Sequence, residues 1–334
     1  MKNKKLFLII LAVFLMVFIV SFINCAAKAE AQTVPENKEI VPAEPAAPVQ
    51  ARSKVYFTAD ISPAGLMAVY KALGQQPSGK VAVKISTGEP PNSNYLRPAL
   101  IKDLVQSVKG TIVESNTVYG GKRANTAVHK QTAKDHGFTD IAAVDILDEN
   151  GSISLPVRGG ARLRENFVGA HFTNYDYYVV LSHFKGHGMG GFGGAIKNIS
   201  IGIASSEGKS WIHTAGKSKS GFSGDQNAFL DSMAEAGKSV VDSLNGKILY
   251  INVMNRLSVD CDCNGNPTAP DMHDIGILSS LDPVALDQAC VDLVYAAGDG
   301  KSLIQRIESR NGVRTIDHGA EIGLGSKTYE LIKL

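Results

Sequence analysis

Neither sign of charge is in surplus in this chain of 334 residues. Lysine and arginine number 34 and acidic residues 32, a net +2 at pH 7. A nucleic-acid binder carries a clear basic excess, so that partner is excluded. Cysteine is scarce, with four in all. No G-x-S-x-G elbow and no H-E-x-x-H is present. Internal repeats are absent. A single long apolar run excludes a multi-spanning membrane protein. What remains is 44% hydrophobic and 20% charged, the balance of a folded globular protein with a sizeable core.

That run, Leu6–Ile23, is 18 residues long and follows Lys2, Lys4 and Lys5. A short positive region before an apolar stretch is a targeting segment, not part of the fold. Ala29-Glu30-Ala31 offers cleavage before Gln32, and an uncleaved anchor is the alternative. Cys25 raises a third outcome, lipidation, although Phe22-Ile23-Asn24 matches it poorly. Residues 1–31 therefore read as signal peptide or membrane anchor. The expected location is across the cytoplasmic membrane, either secreted or periplasmic or held at the membrane by the N-terminus. Residues 1–31 hold four lysines and Glu30, so their loss leaves a net charge of −1. Residues 32–53 carry Pro35, Pro42, Pro45 and Pro48 and read as a Pro/Ala/Glu-rich linker, or as a ragged mature N-terminus.

From residue 54 to 334 strand and helix patterns alternate. Val55–Thr58, Val81–Ile85, Thr111–Val113, Tyr177–Leu181, Ile248–Val253 and Asp274–Leu278 read as strands. Helices are expected from Ser62-Pro63 to Leu73, over Pro98–Val108, over Arg123–His136, around Asn227–Leu244 and over Pro283–Ala297. Asp282 caps the last of these and Pro283 takes its first position. Such alternation predicts an α/β fold with a mainly parallel, doubly wound sheet and helices on both faces.

The densest chemical signal follows the strand ending near Leu181. It runs His183-Phe184-Lys185-Gly186-His187-Gly188-Met189-Gly190-Gly191-Phe192-Gly193-Gly194-Ala195-Ile196-Lys197-Asn198. Ligands of open parallel sheets bind outside the carboxyl ends of strands. Glycines there admit a close ligand, backbone N–H groups cradle oxygens, and Lys197 adds a cation. Gly121-Lys122-Arg123 and Lys84 are further sources of positive charge. Gly186, Gly188 and Gly191 fit G-x-G-x-x-G, which alone is weak. Gly208-Lys209-Ser210 resembles the end of a phosphate loop, but the required first glycine falls on Ile203. Cys261-Asp262-Cys263 is the second signal. Two thiolates one residue apart grip a soft metal when a histidine joins them. A disulfide or an inert thiol pair is the competing reading, and Cys290 reads as a small buried hydrophobe.

On these stretches the chain resembles the family catalogued as domain of unknown function 362. The other matching segments are Asp274–Leu278, Leu281–Ala289, Gly323–Ser326 and Tyr329–Leu331. The resemblance runs from about residue 54 to the end and implies the α/β host domain of that family. Many members carry an inserted pair of four-cysteine iron–sulfur motifs after the glycine loop. No cysteine stands between His213 and Ile248 here, so this chain has no ferredoxin-type four-cysteine motif.

The leading expectation is a metal or redox site holding a single zinc or iron ion at Cys261, Cys263 and His187. His183, Lys185, Gly193, Gly194, Lys197, Asn198 and His213 are expected to bind an anionic small molecule. A redox partner protein accompanies this reading, and no catalytic residue is named. The alternative is a non-catalytic binding module for an anion or cofactor at the glycine loop. A dithiol carrier cycling Cys261 and Cys263 is the third.

Overall fold

The computed structural model describes residues 52–334. The targeting segment and nearly all of the linker lie outside the described residues, and Ser53 already belongs to the first strand. In chain order come β1 (Ser53–Thr58), α1 (Pro63–Ala72), β2 (Val81–Lys84), α2 (Pro98–Ser107), β3 (Thr111–Glu114), α3 (Thr126–Asp135) and β4 (Val144–Ile146). A hairpin of β5 (Ser152–Pro156) and β6 (Glu165–Gly169) follows. Then β7 (Tyr177–His183) leads into a second hairpin, β8 (Lys185–His187) with β9 (Gly191–Gly193), and on to α4 (Ala195–Ser200) and α5 (Ser206–His213). The chain continues through α6 (Gln226–Leu244), β10 (Ile248–Met254), β11 (Gly276–Ser280), α7 (Pro283–Ala296), α8 (Lys301–Ser309), α9 (Arg314–Glu321) and β12 (Tyr329–Lys333).

Eight strands form one sheet in the order β12-β1-β11-β10-β7-β2-β3-β4. Seven run the same way, and β11 runs against both neighbours. The mainly parallel α/β fold is therefore the one the chain adopts. Side chains alternate between the faces of a strand, and two cores result. Val81, Val83, Val179, Leu181, Leu249 and Ile251 meet Leu66, Ile101 and Leu104 of α1 and α2 on one face. Ala82, Tyr178, Val180 and Tyr250 meet Ile196, Ile199, Val240 and Val284 of α4, α6 and α7 on the other. Each fully buried large apolar side chain contributes roughly 1.5–3 kcal/mol. No helix among the described residues is long and apolar enough to cross a membrane.

Two expected elements begin later than the sequence suggested. The helix expected from Arg123 starts at Thr126, because Asn125 caps it by accepting from Val128 N–H at 3.2 Å. Arg123 is instead drawn into ion pairs with Glu89 and Glu114. The strand expected at Asp274 starts at Gly276, and Asp274 accepts from Arg256 N–H at 2.6 Å. Asp282 caps α7 as expected, accepting from Val284 and Ala285 N–H at 2.9 and 3.0 Å.

One buried carboxylate holds the glycine stretch against α7. Asp287 accepts from Ala195 and Ile196 N–H at 2.7 and 2.9 Å and from Asn252 Nδ2 at 2.7 Å. These bonds take up the Ala195 and Ile196 N–H groups at the start of α4, so those two do not cradle a ligand's oxygens. Replacing Asp287 by Ala strands two buried N–H groups, and we expect a loss of about 3 kcal/mol in urea unfolding. Burial, opposed by those hydrogen bonds, raises the Asp287 carboxyl from 3.8 to about 6. The stability tied to that raised value is complete in acid and is lost as pH rises through about 6. Measured against Asp287→Asn, the wild-type protein should lose relative stability across that window.

Candidate functional site

The reversal of β11 decides where the cysteines lie. Antiparallel neighbours need no helical crossover between them. The connection from β10 to β11, residues 255–275, therefore stays at the carboxyl edge of the sheet. The chain leaving β7 as β8 emerges at the same edge. Gly186 lets the two meet. Its N–H donates to Ser258 O at 2.8 Å, and a Cβ there would lie 2.3 Å from Val259 O. Asp262 fastens the contact. Its carboxylate accepts from His183 Nδ1 at 2.9 Å and pairs with Lys185 Nζ at 3.1 Å, all three being buried. Burial works against the charge on Lys185, but Asp262 and Cys261 outweigh it and raise its pKa.

His187, Cys261 and Cys263 thereby offer ligand atoms that lie within 4.8 Å of one another. The thiols are free. A hydrogen bond from Cys263 lowers the pKa of Cys261 well below the thiol range. Burial opposes this, and Lys197 and His187 assist it. Cys263 is pushed up by the same hydrogen bond and by burial. Burial first, then Lys197, lowers His187, so its ring is neutral at physiological pH. Its Nδ1 accepts from Gly190 N–H at 2.8 Å and from Met189 N–H at 3.3 Å. The neutral ring therefore carries its proton on Nε2. To hold a metal through Nε2 as a neutral ring, His187 would have to shift that proton to Nδ1 and give up the bonds from Gly190 and Met189 N–H, or turn over.

These groups line a cavity of about 550 Å³. His183, Lys185, Gly193, Gly194, Lys197, Asn198 and His213 line it too, so all ten residues singled out in the sequence face one space. Their freedom differs. Both ring nitrogens of His183 are engaged, by Asp262 and by Asn255 O at 2.6 Å. Asn198 Nδ2 ties the strand ends together through Ser182 Oγ at 3.0 Å and Lys84 O at 3.3 Å. Gly193 leaves room for the Lys197 and Lys185 stems, whose carbons would lie 3.2 and 3.8 Å from a Cβ there. Lys84 and Arg123, expected as charges for a ligand, both pair with buried Glu114, at 2.9 and 3.2 Å. Burial alone raises a carboxyl, but Lys84 and Arg123 hold Glu114 below the carboxylate range.

Sequence reasoning passed over Lys209 and Thr117, which also line the cavity. Lys209 looked like a failed phosphate loop. It is in fact a helical residue four positions before His213, so the two share a face of α5.

A mainly parallel α/β protein with a cysteine–histidine cluster inside a lysine-lined cavity is the class these observations define. The chain belongs to the family described as domain of unknown function (DUF362), whose profile matches residues 81–292. That span contains all ten residues. No curated protein matches the chain. Among solved structures it is similar to the lactate racemase apoprotein from Thermoanaerobacterium thermosaccharolyticum. Identity is 17% over 60% of this chain and 51% of that one, with a TM-score of 0.37. It is also similar to a protein from Thermotoga maritima, with 12% identity over 69% of this chain and 58% of the other and a TM-score of 0.41. The chain thus spans between half and two thirds of the length of either neighbour.

Removing Asp262 leaves His183 and Lys185 buried without their carboxylate. Breaking such a group costs about 3–5 kcal/mol. We expect Asp262→Ala to lower the denaturation midpoint accordingly, and Asp262→Asn, which keeps an acceptor, to lower it less.

Proposed function

We propose that this protein holds a single metal ion, zinc or iron, at Cys261, Cys263 and His187 and presents it to an anionic small molecule in the cavity. The observation that carries this reading is the convergence of the three ligand atoms within 4.8 Å. Two sulfurs and one nitrogen suit zinc or iron, and three protein ligands leave a fourth position open, as catalytic sites do. Lys197 faces the same cavity and supplies charge for the anion. Delivery across or onto a membrane by residues 1–31 belongs to this proposal and rests on their sequence.

The test is elemental analysis of the full-length protein, purified anaerobically without chelator, beside Cys261→Ser/Cys263→Ser. We expect near one metal per chain in the first and none in the second. No metal in either overturns the proposal.

A second reading is favoured by the His187 tautomer. A proton held on Nε2 suits donation to a Cys261 thiolate, with Cys261 and Cys263 acting as a dithiol toward a redox partner protein. Thiol counts under oxidising and reducing conditions test it. A loss of two thiols that is reversed by reductant supports the dithiol, and an unchanged count sinks it.

A further inference from the structure

We propose that the cavity contains a subsite, built by Lys197, Lys209, His213 and Thr117, that takes a dianionic group of a small molecule, either a phosphoryl group or a pair of carboxylates. The proposal deepens the reading of the cavity as an anion site and does not depend on the metal.

Charge bookkeeping points to two unmet positive charges. Lys84 and Arg123 are balanced by Glu114 and Glu89, and Lys185 is balanced by Asp262. Among the described residues, no carboxylate lies within ion-pairing distance of Lys197 or Lys209. Lys197 has no hydrogen-bond partner there either, and Lys209 donates only to Ala204 O, at 2.5 Å. Asp148 acts on Lys209 from farther off, and its oxygens are taken by Asn116 N–H and Ser206 N–H. Two thiolates holding a divalent ion form a neutral cluster and leave the surplus at two, and without metal the Cys261 thiolate offsets one of the two charges and leaves one unmet.

Two polar groups lie ready beside these charges. His213 and Thr117 line the cavity, each only 6% exposed, and their buried Nδ1 and Oγ1 have no hydrogen-bond partner. Buried polar atoms are ordinarily paired, and these two, on residues that share the cavity with the unpaired lysines, give a ligand's oxygens partners there. The His213 ring is fixed by stacking on Phe229 at 4.4 Å and by the edge of Phe222 at 4.9 Å. Burial, then His187, Lys197 and Lys209, lowers it to about 3, so it meets the ligand as a neutral imidazole. Lys209 is lowered to about 8, by burial first and by Lys84 and Arg123 against the pull of Asp148 and Glu114. It is therefore still mostly charged at pH 7.

The test is calorimetric titration of the full-length protein with phosphate, malonate and acetate, repeated with the Cys261→Ser/Cys263→Ser variant. We expect one or both dianions to bind at least tenfold tighter than acetate in both proteins. Tighter phosphate assigns a phosphoryl group, and tighter malonate assigns paired carboxylates. Lys197→Met and Lys209→Met should each weaken that binding at least tenfold. Lys197 is only half-buried, which keeps the test open if Lys209→Met fails to fold. In the wild-type protein, dianion affinity should fall as pH rises through about 8, where Lys209 loses its charge. Equal affinity for acetate and the dianions overturns the proposal, as does unchanged binding in folded lysine variants. Dianion binding that disappears with the cysteines also overturns it, by placing the anion on the metal. Metal content, measured separately, decides the earlier reading.

Discussion

A single buried negative charge, on Asp262, sets the position of everything chemical in this protein. It lies between His183 at the end of β7 and Lys185 in β8, and the cysteines stand on either side of it in sequence. Buried ion pairs add little net stability but are expensive to break. The role of this one is therefore placement. A loop of 21 residues between β10 and β11 has many possible courses, and the carboxylate selects the course that brings both thiols beside His187.

The sheet prepares this. Parallel strands send all their carboxyl ends to one edge, so β2, β3 and β7 deliver Lys84, Glu114 and His183 to a common rim. The single reversed strand adds the cysteine loop to that rim without a helix carrying it away. Ion pairs then satisfy most of the cations there. What remains active in the cavity is a short list: two thiols, a neutral imidazole on each of β8 and α5, and two lysines.

Much of the frame was legible in the residues. Tyr177–Leu181 is a continuous apolar run, and Val81–Ile85 and Ile248–Val253 are each broken by one polar residue, Lys84 and Asn252, as strands buried on both faces mostly are. Asp282-Pro283 announced its helix by cap and first-turn proline. The hairpin of β5 and β6 was not legible, because Ser152, Ser154, Glu165 and Asn166 dilute its apolar residues and it lies outside the main sheet. Helix α5 was hidden by the phosphate-loop likeness of Gly208-Lys209-Ser210, although Ser205 caps it by accepting from Gly208 N–H. The glycines and cysteines could be picked out one motif at a time. Their meeting could not, since it rests on the direction of β11 and on Asp262. The value of Lys209 was equally hidden, for it lies in what the fold fails to place beside it.

Gly186 leaves no space for a side chain because another stretch of backbone runs past it, and the partners at that crossing are far apart in the chain. His183 and Asp262 are separated by 79 residues, with α4, α5, α6 and β10 between them. Contacts between residues far apart in the chain carry a loop-closure cost that local contacts do not. Until this one forms the two thiols have neither histidine nor lysine beside them. They are open to oxidation and to whatever soft cation arrives first. The thiols are thus at chemical risk for as long as that crossing is unmade.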